Sequence, residues 1–294
     1  MSHSLLDLIG NTPLIGSQVL NPNPNVKILF KLEGHNPGGS VKDRAAFSMI
    51  KNGLERGEIS KNSKLIEATS GNTGIALAMI AGVYGLDIEL VMPENSTIER
   101  VQTMRAYGAK VTLTPADVGI EGARDYAEDK VASHGYTMIN QFANDDNWKA
   151  HYSTTGPEIW KDTQGKVTHF VSSMGTTGTI MGTSTYLKEQ NPNIQIVGVQ
   201  PTDGSKIPGI RKWPAAYLPK IFDPKKVDQV FEVSQEQAAA MAKRLAKEEG
   251  IFSGMSSGGA TTAALQLAST LESGTIVSII CDRGDRYLSS NLFD

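Results

Sequence analysis

The chain has 294 residues, enough for one large or two modest domains, and a net charge of −3 with the signs mixed. No global field recruits nucleic acid or an anionic membrane, and no apolar run approaches the ~20 residues of a bilayer span. A single cysteine, Cys281, excludes an internal disulfide, and the five histidines (His3, His35, His134, His151, His169) show no ligand spacing, so no metal is expected.

The opening MSHSLLDLIGNT lacks the basic-then-apolar pattern of a secretory signal. With the lone thiol, this leads to the expectation of a cytoplasmic protein. A strand is predicted at 26–32. The stretch 36–44, NPGGSVKDR, then enters a helix marked by Ala45, Ala46, Met49, Ile50 and Leu54. Lys42 falls in its first turn, where the helix dipole disfavours a cation. Dipole and burial together lower its pKa, and a more often neutral amine is a nucleophile for carbonyls. Taken alone, such a lysine is more often an ordinary surface residue after a glycine turn.

From there strand and helix signals alternate. Strands at 65–68, 88–92, 111–113 and 137–139 precede helices at about 73–84, 97–107, 121–133 and 148–160. A strand at 169–171 leads to a helix near 179–189, then to a strand at 194–199. The run 276–280 is nearly all apolar, as a central parallel strand should be. This alternation predicts an α/β fold of parallel-rich twisted sheets flanked by helices. Segment 207–219, with three prolines and Trp213, predicts an irregular loop, either a plain connection or a lid.

Three turns lie where α/β sheets bind ligands, beyond the carboxyl ends of strands. EATSGNTG (67–74) offers Thr69, Ser70, Asn72 and Thr73 for a carboxylate, with Asn72 also able to bond a phenolic oxygen; a plain helix cap is the alternative. SMGTTGT (173–179) lacks the terminal Gly-Lys-Ser/Thr of a Walker loop and is not the dinucleotide GxGxxG. Its glycines and threonines suit a cofactor monophosphate, or form a simple strand–helix turn. GMSSGG (254–259) precedes a predicted helix at 260–271, with Ser257 as a candidate cap. Cys281, at a strand end, reads first as buried filler.

Taken in this order, these motifs resemble the fold-type II (tryptophan synthase β-like) pyridoxal-phosphate enzymes over nearly the whole chain. Within that family the chain is similar to the O-acetylserine sulfhydrylases, or cysteine synthases. GIRKWPAAYLP and IICDRGDRYLS resemble their B-type branch. The resemblance implies pyridoxal 5'-phosphate on Lys42 as a Schiff base. It implies Asn72 at the cofactor's ring hydroxyl, Gly175, Thr176, Thr177, Gly178 and Thr179 at its phosphate, and Ser256 at the pyridine nitrogen. Thr69, Ser70, Asn72 and Thr73 are then expected at the substrate carboxylate, Gln141 near the amino-acid portion, Arg211 at an anionic second substrate, and Cys281 lining the pocket.

The implied reaction replaces the acetate of O-acetyl-L-serine by sulfide, or by thiosulfate to give S-sulfocysteine. Alternatives are a related enzyme using serine or O-phosphoserine, like cystathionine β-synthase, and a low-turnover cofactor-binding regulatory partner. The expected domains are a smaller mobile one at 35–146, a larger one from 13–34 plus 147–294, and an arm at 1–12. The expected partners are small molecules and a second copy in a homodimer, without a serine acetyltransferase complex, nucleic acid or membrane.

Overall fold

The computed structural model describes residues 4–69 and 71–294. Strands β1 (Leu14–Gly16) and β2 (Val26–Leu32) form an antiparallel ribbon, and α1 (Lys42–Glu55) follows. The next unit runs β3 (Lys64–Ala68), α2 (Asn72–Tyr84), β4 (Asp87–Pro93), α3 (Ile98–Ala106), β5 (Lys110–Thr114), α4 (Gly119–His134) and β6 (Thr137–Met138). Helices α5 (Asp145–Ser153) and α6 (Thr155–Asp162) lead to β7 (His169–Ser173), α7 (Gly178–Gln190) and β8 (Gln195–Pro201). The chain ends with β9 (Gln229–Val233), α8 (Gln235–Glu249), α9 (Met255–Ala268) and β10 (Gly274–Ile280), followed by a 3-10 segment, Gly284–Ser290.

The strands form two sheets. One is ordered β1-β2-β10-β7-β8-β9, parallel except for β1; the other is the parallel β5-β4-β3-β6. Each has its own apolar packing. Ala45, Met49, Ile50, Leu77, Leu90 and Met104 fill one side of the smaller sheet. Phe170, Ile180, Ile196, Val277 and Ile279 pack together on the larger. Helix α2 is apolar nearly all round, as a buried helix should be, and stops at Gly85 in the left-handed region. Among the described residues no helix is long and apolar enough to cross a membrane, and no cluster of three metal-ligating side chains occurs.

The structure departs from the sequence reading in three places. The single helix predicted over 148–160 is two, broken at Thr154 (φ −128°, ψ −67°), whose hydroxyl turns back to the Ala150 carbonyl at 2.6 Å. The helix predicted from 260 begins at Met255, so Ser256 is helical; Ser257 does not cap it but accepts a bond from the Cys281 amide at 3.0 Å. Strands β1 and β9 and helix α8 went unpredicted, although Ser234 forms a capping box with Gln237 at the start of α8.

Candidate active site

Segments leaving the carboxyl ends of β2, β3 and β7 line one cleft, and the segment after β10 reaches it through Asn72. The larger sheet delivers Lys42. Beyond β2 the Gly38-Gly39 turn approaches β10's exit, where Ser40 bridges Asp282 and the Val41 amide donates to the Cys281 carbonyl at 2.8 Å. Helix α1 therefore starts at a fixed point, and Lys42 lines the cleft with Thr73, Gln141, Gly175, Thr176 and Arg211. Burial lowers the Lys42 pKa, opposed only in part by Cys281 and Asp282.

The smaller sheet delivers the turn after β3. Thr69 Oγ1 accepts from the amides of Gly71 (3.1 Å) and Gly74 (3.0 Å), bracing the turn. Thr73 donates to Gln141 Oε1 at 2.7 Å, and Gln141 Nε2 donates to the Ala68 carbonyl at 2.8 Å. Behind them burial pushes Glu67 up to about 7, although it accepts from the amides of Asn140 and Gln141. Asn72 is the first residue of α2, not its cap, and its amide spans Asp282 and Arg286. Ser70 lies outside the described residues.

The turn after β7 is shaped for an anion. Thr177 caps α7 in the left-handed region (φ 69°), a strained conformation for a β-branched residue, and its hydroxyl is buried without a hydrogen-bond partner. The backbone packs so closely that a Cβ at Gly175 would lie 2.6 Å from the Gly209 carbonyl oxygen, and one at Gly178 2.0 Å from Asn147 Oδ1. Thr179 contacts His151 Nε2 at 3.4 Å, and burial holds that histidine neutral, down to about 3. An orphaned hydroxyl, further threonine hydroxyls and the leading N–H groups of a 13-residue helix fit a phosphate.

Ser256 is buried beside Gly209 and its carbonyl accepts from Ser173 at 2.7 Å. Cys281 is buried close to Lys42 and Ser256. Burial pushes its thiol up to about 12, with Asp282 adding to the rise and a hydrogen bond with Ser256 offsetting part of it. A thiol so rarely ionised is a poor nucleophile.

The irregular loop is tied to the phosphate-shaped turn: Trp213 Nε1 donates to the Gly175 carbonyl at 2.7 Å and the Arg211 amide to that of Met174 at 2.8 Å. Arg211 is exposed, and it also lines a wider cavity of about 470 Å³ that carries Arg100, Lys206 and Lys212. Sequence reasoning gave no role to Asn147, His151, Asp282, Arg286 or Tyr287. Asp282, Arg286 and Tyr287 stand in CDRGDRY, but nothing local in that run shows what they meet.

The sequence matches the family described as pyridoxal-phosphate dependent enzyme over residues 5–282. It is 58% identical over 292 residues to cysteine synthase B of Pseudomonas aeruginosa, covering 99% of this chain and 97% of that protein. Against cysteine synthase B of Escherichia coli K12 the identity is 53% over 290 residues, covering 99% and 96%. The crystal structure of cysteine synthase from Entamoeba histolytica superposes with a TM-score of 0.93 at 37% identity, covering 100% of this chain and 91% of that one.

Proposed function

Because this chain belongs to the pyridoxal-phosphate dependent enzymes, and to their fold-type II branch, we propose a division of labour among its residues for the reaction it catalyses. That reaction is the O-acetylserine sulfhydrylase step of cysteine biosynthesis: sulfide replaces the acetate of O-acetyl-L-serine to give L-cysteine. When bound, pyridoxal phosphate supplies the electron sink and a carbonyl that condenses with amines.

Lys42 would be the nucleophile for that carbonyl and the base whose Nζ takes the proton from the substrate α-carbon. Its burial supports both roles, because a lowered pKa keeps the amine neutral more of the time. The turn 175–179 would hold the phosphate, Asn72 Nδ2 would donate to the ring oxygen, and the Ser256 hydroxyl would serve the pyridine nitrogen. A hydroxyl there, where a carboxylate would fix a proton, favours elimination over transamination. Thr69, Asn72 and Thr73 receive the substrate carboxylate at the start of α2, whose dipole favours an anion, with Gln141 near the amino-acid portion.

Residues 35–146 form the smaller, moving domain of this reading; residues 13–34 with 147–294 form the larger, and 1–12 an arm. Closing the one on the other excludes water from the cleft. Arg211, at the mouth, receives an anionic sulfur donor such as thiosulfate. The working enzyme in this reading is a cytoplasmic homodimer.

The observation that carries these assignments is the convergence on one cleft of a lysine with a lowered pKa and a turn with a buried, unpartnered threonine hydroxyl. Borohydride reduction of the coloured protein should add the cofactor's mass to the peptide containing Lys42. Lys42→Ala should lose at least about 10³-fold in cysteine formation. Label elsewhere, or an active Lys42→Ala, removes the assignment. In the same assay Arg211→Ala should lower the rate with thiosulfate more than with sulfide; equal losses leave Arg211 only a loop-positioning role.

A further inference from the structure

We propose that Arg286 is a positioning residue of the cofactor site: it fixes which end of the Asn72 amide faces the cofactor's ring oxygen, and it ties that amide to the turn that presents Lys42. This deepens the reading of Asn72 given above and rests on it. Arg286 is buried in the C-terminal 3-10 segment, 214 residues after Asn72. Its Nη1 donates to Asn72 Oδ1 at 2.8 Å and its Nη2 to the Gly38 carbonyl at 2.7 Å.

A guanidinium only donates, so the atom of Asn72 that meets it is the carbonyl oxygen. On the other side Asp282 Oδ2 accepts from Asn72 Nδ2 at 2.7 Å, and an ionised carboxylate only accepts. Groups of opposite charge thus read the two ends of one amide. A flipped amide would set its oxygen against a carboxylate and its NH2 against a guanidinium. One Nδ2–H goes to Asp282, and the second is the donor available to a ring oxygen.

The surroundings are built to hold this arrangement. Gly39 sits at φ +80°, and a Cβ there would lie 2.5 Å from Arg286 Nη2; at Gly38 it would lie 2.7 Å from Asp43 Oδ1. The paired glycines before Lys42 therefore leave room for Arg286 and Asp43. Asp282 is fixed in turn, accepting from the Tyr287 hydroxyl at 2.6 Å, while the Arg100 guanidinium lies 4.7 Å over the Tyr287 ring. That ring fills the space a Cβ at Gly254 would need, 2.3 Å away, one residue before the helix that carries Ser256. Thr97 anchors the segment from α3's side by donating to the Arg286 carbonyl at 3.0 Å. One segment therefore touches the supports of Lys42, Asn72 and Ser256.

The test compares Arg286→Lys, Arg286→Gln, Asn72→Ala and the double variant Asn72→Ala/Arg286→Lys. Lysine keeps the charge but cannot serve two acceptors as a planar fork. The readouts are the visible absorption band of the bound cofactor, the dissociation constant for pyridoxal phosphate, and melting temperatures with and without it. Both Arg286 variants should bind the cofactor roughly 10- to 100-fold more weakly and shift the band in the direction Asn72→Ala shifts it.

The double variant should add little to Asn72→Ala, because both changes remove one arrangement. The proposal is overturned if the Arg286 variants melt lower without cofactor yet keep the wild-type band and affinity, or if the double variant shows the sum of the single effects. An unchanged band and affinity in Asn72→Ala overturns it by removing the reading of Asn72, and leaves the Lys42 labelling result untouched. If Arg286→Gln fails to fold, Arg286→Lys decides.

Discussion

Lys42 and Asp43 are neighbours that burial pushes toward opposite kinds of neutrality: the amine loses its proton more readily and the carboxyl holds its own. Asp43 is raised from its ordinary 3.8 to about 7, although Gly38 donates to its Oδ2 at 2.5 Å and Arg286 opposes the rise. Between those values the folded chain keeps a proton that the unfolded chain has released, so stability falls as pH rises from about 4 to about 7. Asp43→Asn should remove that share of the fall. In urea unfolding of the cofactor-free chain, the variant's advantage over wild type should grow across this window and level off above it. Parallel curves would mean the carboxyl titrates normally. Lys42 was legible in the sequence because its signal is local, a glycine pair followed by a helical stripe. Arg286 was not, because what it binds comes from positions 38 and 72.

At the scale of elements, the turn 175–179 and α7 form one unit with α5. Asn147, on α5, donates to the Gln141 carbonyl at 2.7 Å and to Thr176 Oγ1 at 3.2 Å. Gly178→Ala would drive a methyl into Asn147 and force α5 away from α7. We expect a loss of about 1–3 kcal/mol in stability and weaker cofactor binding, read by chemical denaturation and pyridoxal phosphate titration. Gly204→Ala is the control: the position has open space and a left-handed φ of +80°, so it should lose only about 1–2 kcal/mol and keep its cofactor affinity. Comparable losses of affinity at the two sites would detach the turn from the cofactor. The strand–turn–helix order was legible here because glycines, threonines and apolar runs alternate cleanly. The break between α5 and α6 was not. It depends on Thr154 folding back on Ala150 and on Gly156 packing against Tyr186, where a Cβ would lie 2.7 Å from that ring's own Cβ.

Across the whole molecule, Arg44 joins parts of the chain that are distant in sequence. Its guanidinium bonds both oxygens of Glu33 (2.7 and 2.8 Å), both of Glu158 (2.6 and 2.7 Å) and Thr12 Oγ1 (3.1 Å). Lys31 Nζ adds a contact to Glu158 Oε2 at 2.8 Å and donates to the Thr12 carbonyl at 2.6 Å. The start of α1 is thereby fastened to β2 and α6 of the larger sheet, while Met49 and Ile50 further along pack with the smaller sheet's core. Lys42 lies within residues 35–146, the moving domain of the proposed closure, but close to the point where Arg44 fastens that domain to Glu158 of the larger one. Arg44→Met leaves the buried Glu33 without its cation, though still bonded by Thr12 and Asn36, and should cost about 3–5 kcal/mol in unfolding free energy. Glu158→Gln, at a more open position, should cost less; the reverse order would place the burden of the network on α6. The α/β layout could be read from periodicity, but no local pattern foretold a cation and two carboxylates meeting from residues 33, 44 and 158.

The larger sheet has its last-made strand in the middle, for β10 lies between β2 and β7. Until the ribosome has released residues 274–280, the amino-terminal ribbon and the β7-β8-β9 block have nothing to join them, and each exposes an open edge along an apolar strand. Val26 waits for Gly274 and Lys27 for Thr275. Completing the sheet therefore requires pairing between residues about 250 positions apart, as Val26 with Gly274, and such non-local pairing is slow enough for mispairing with a neighbour to compete with it.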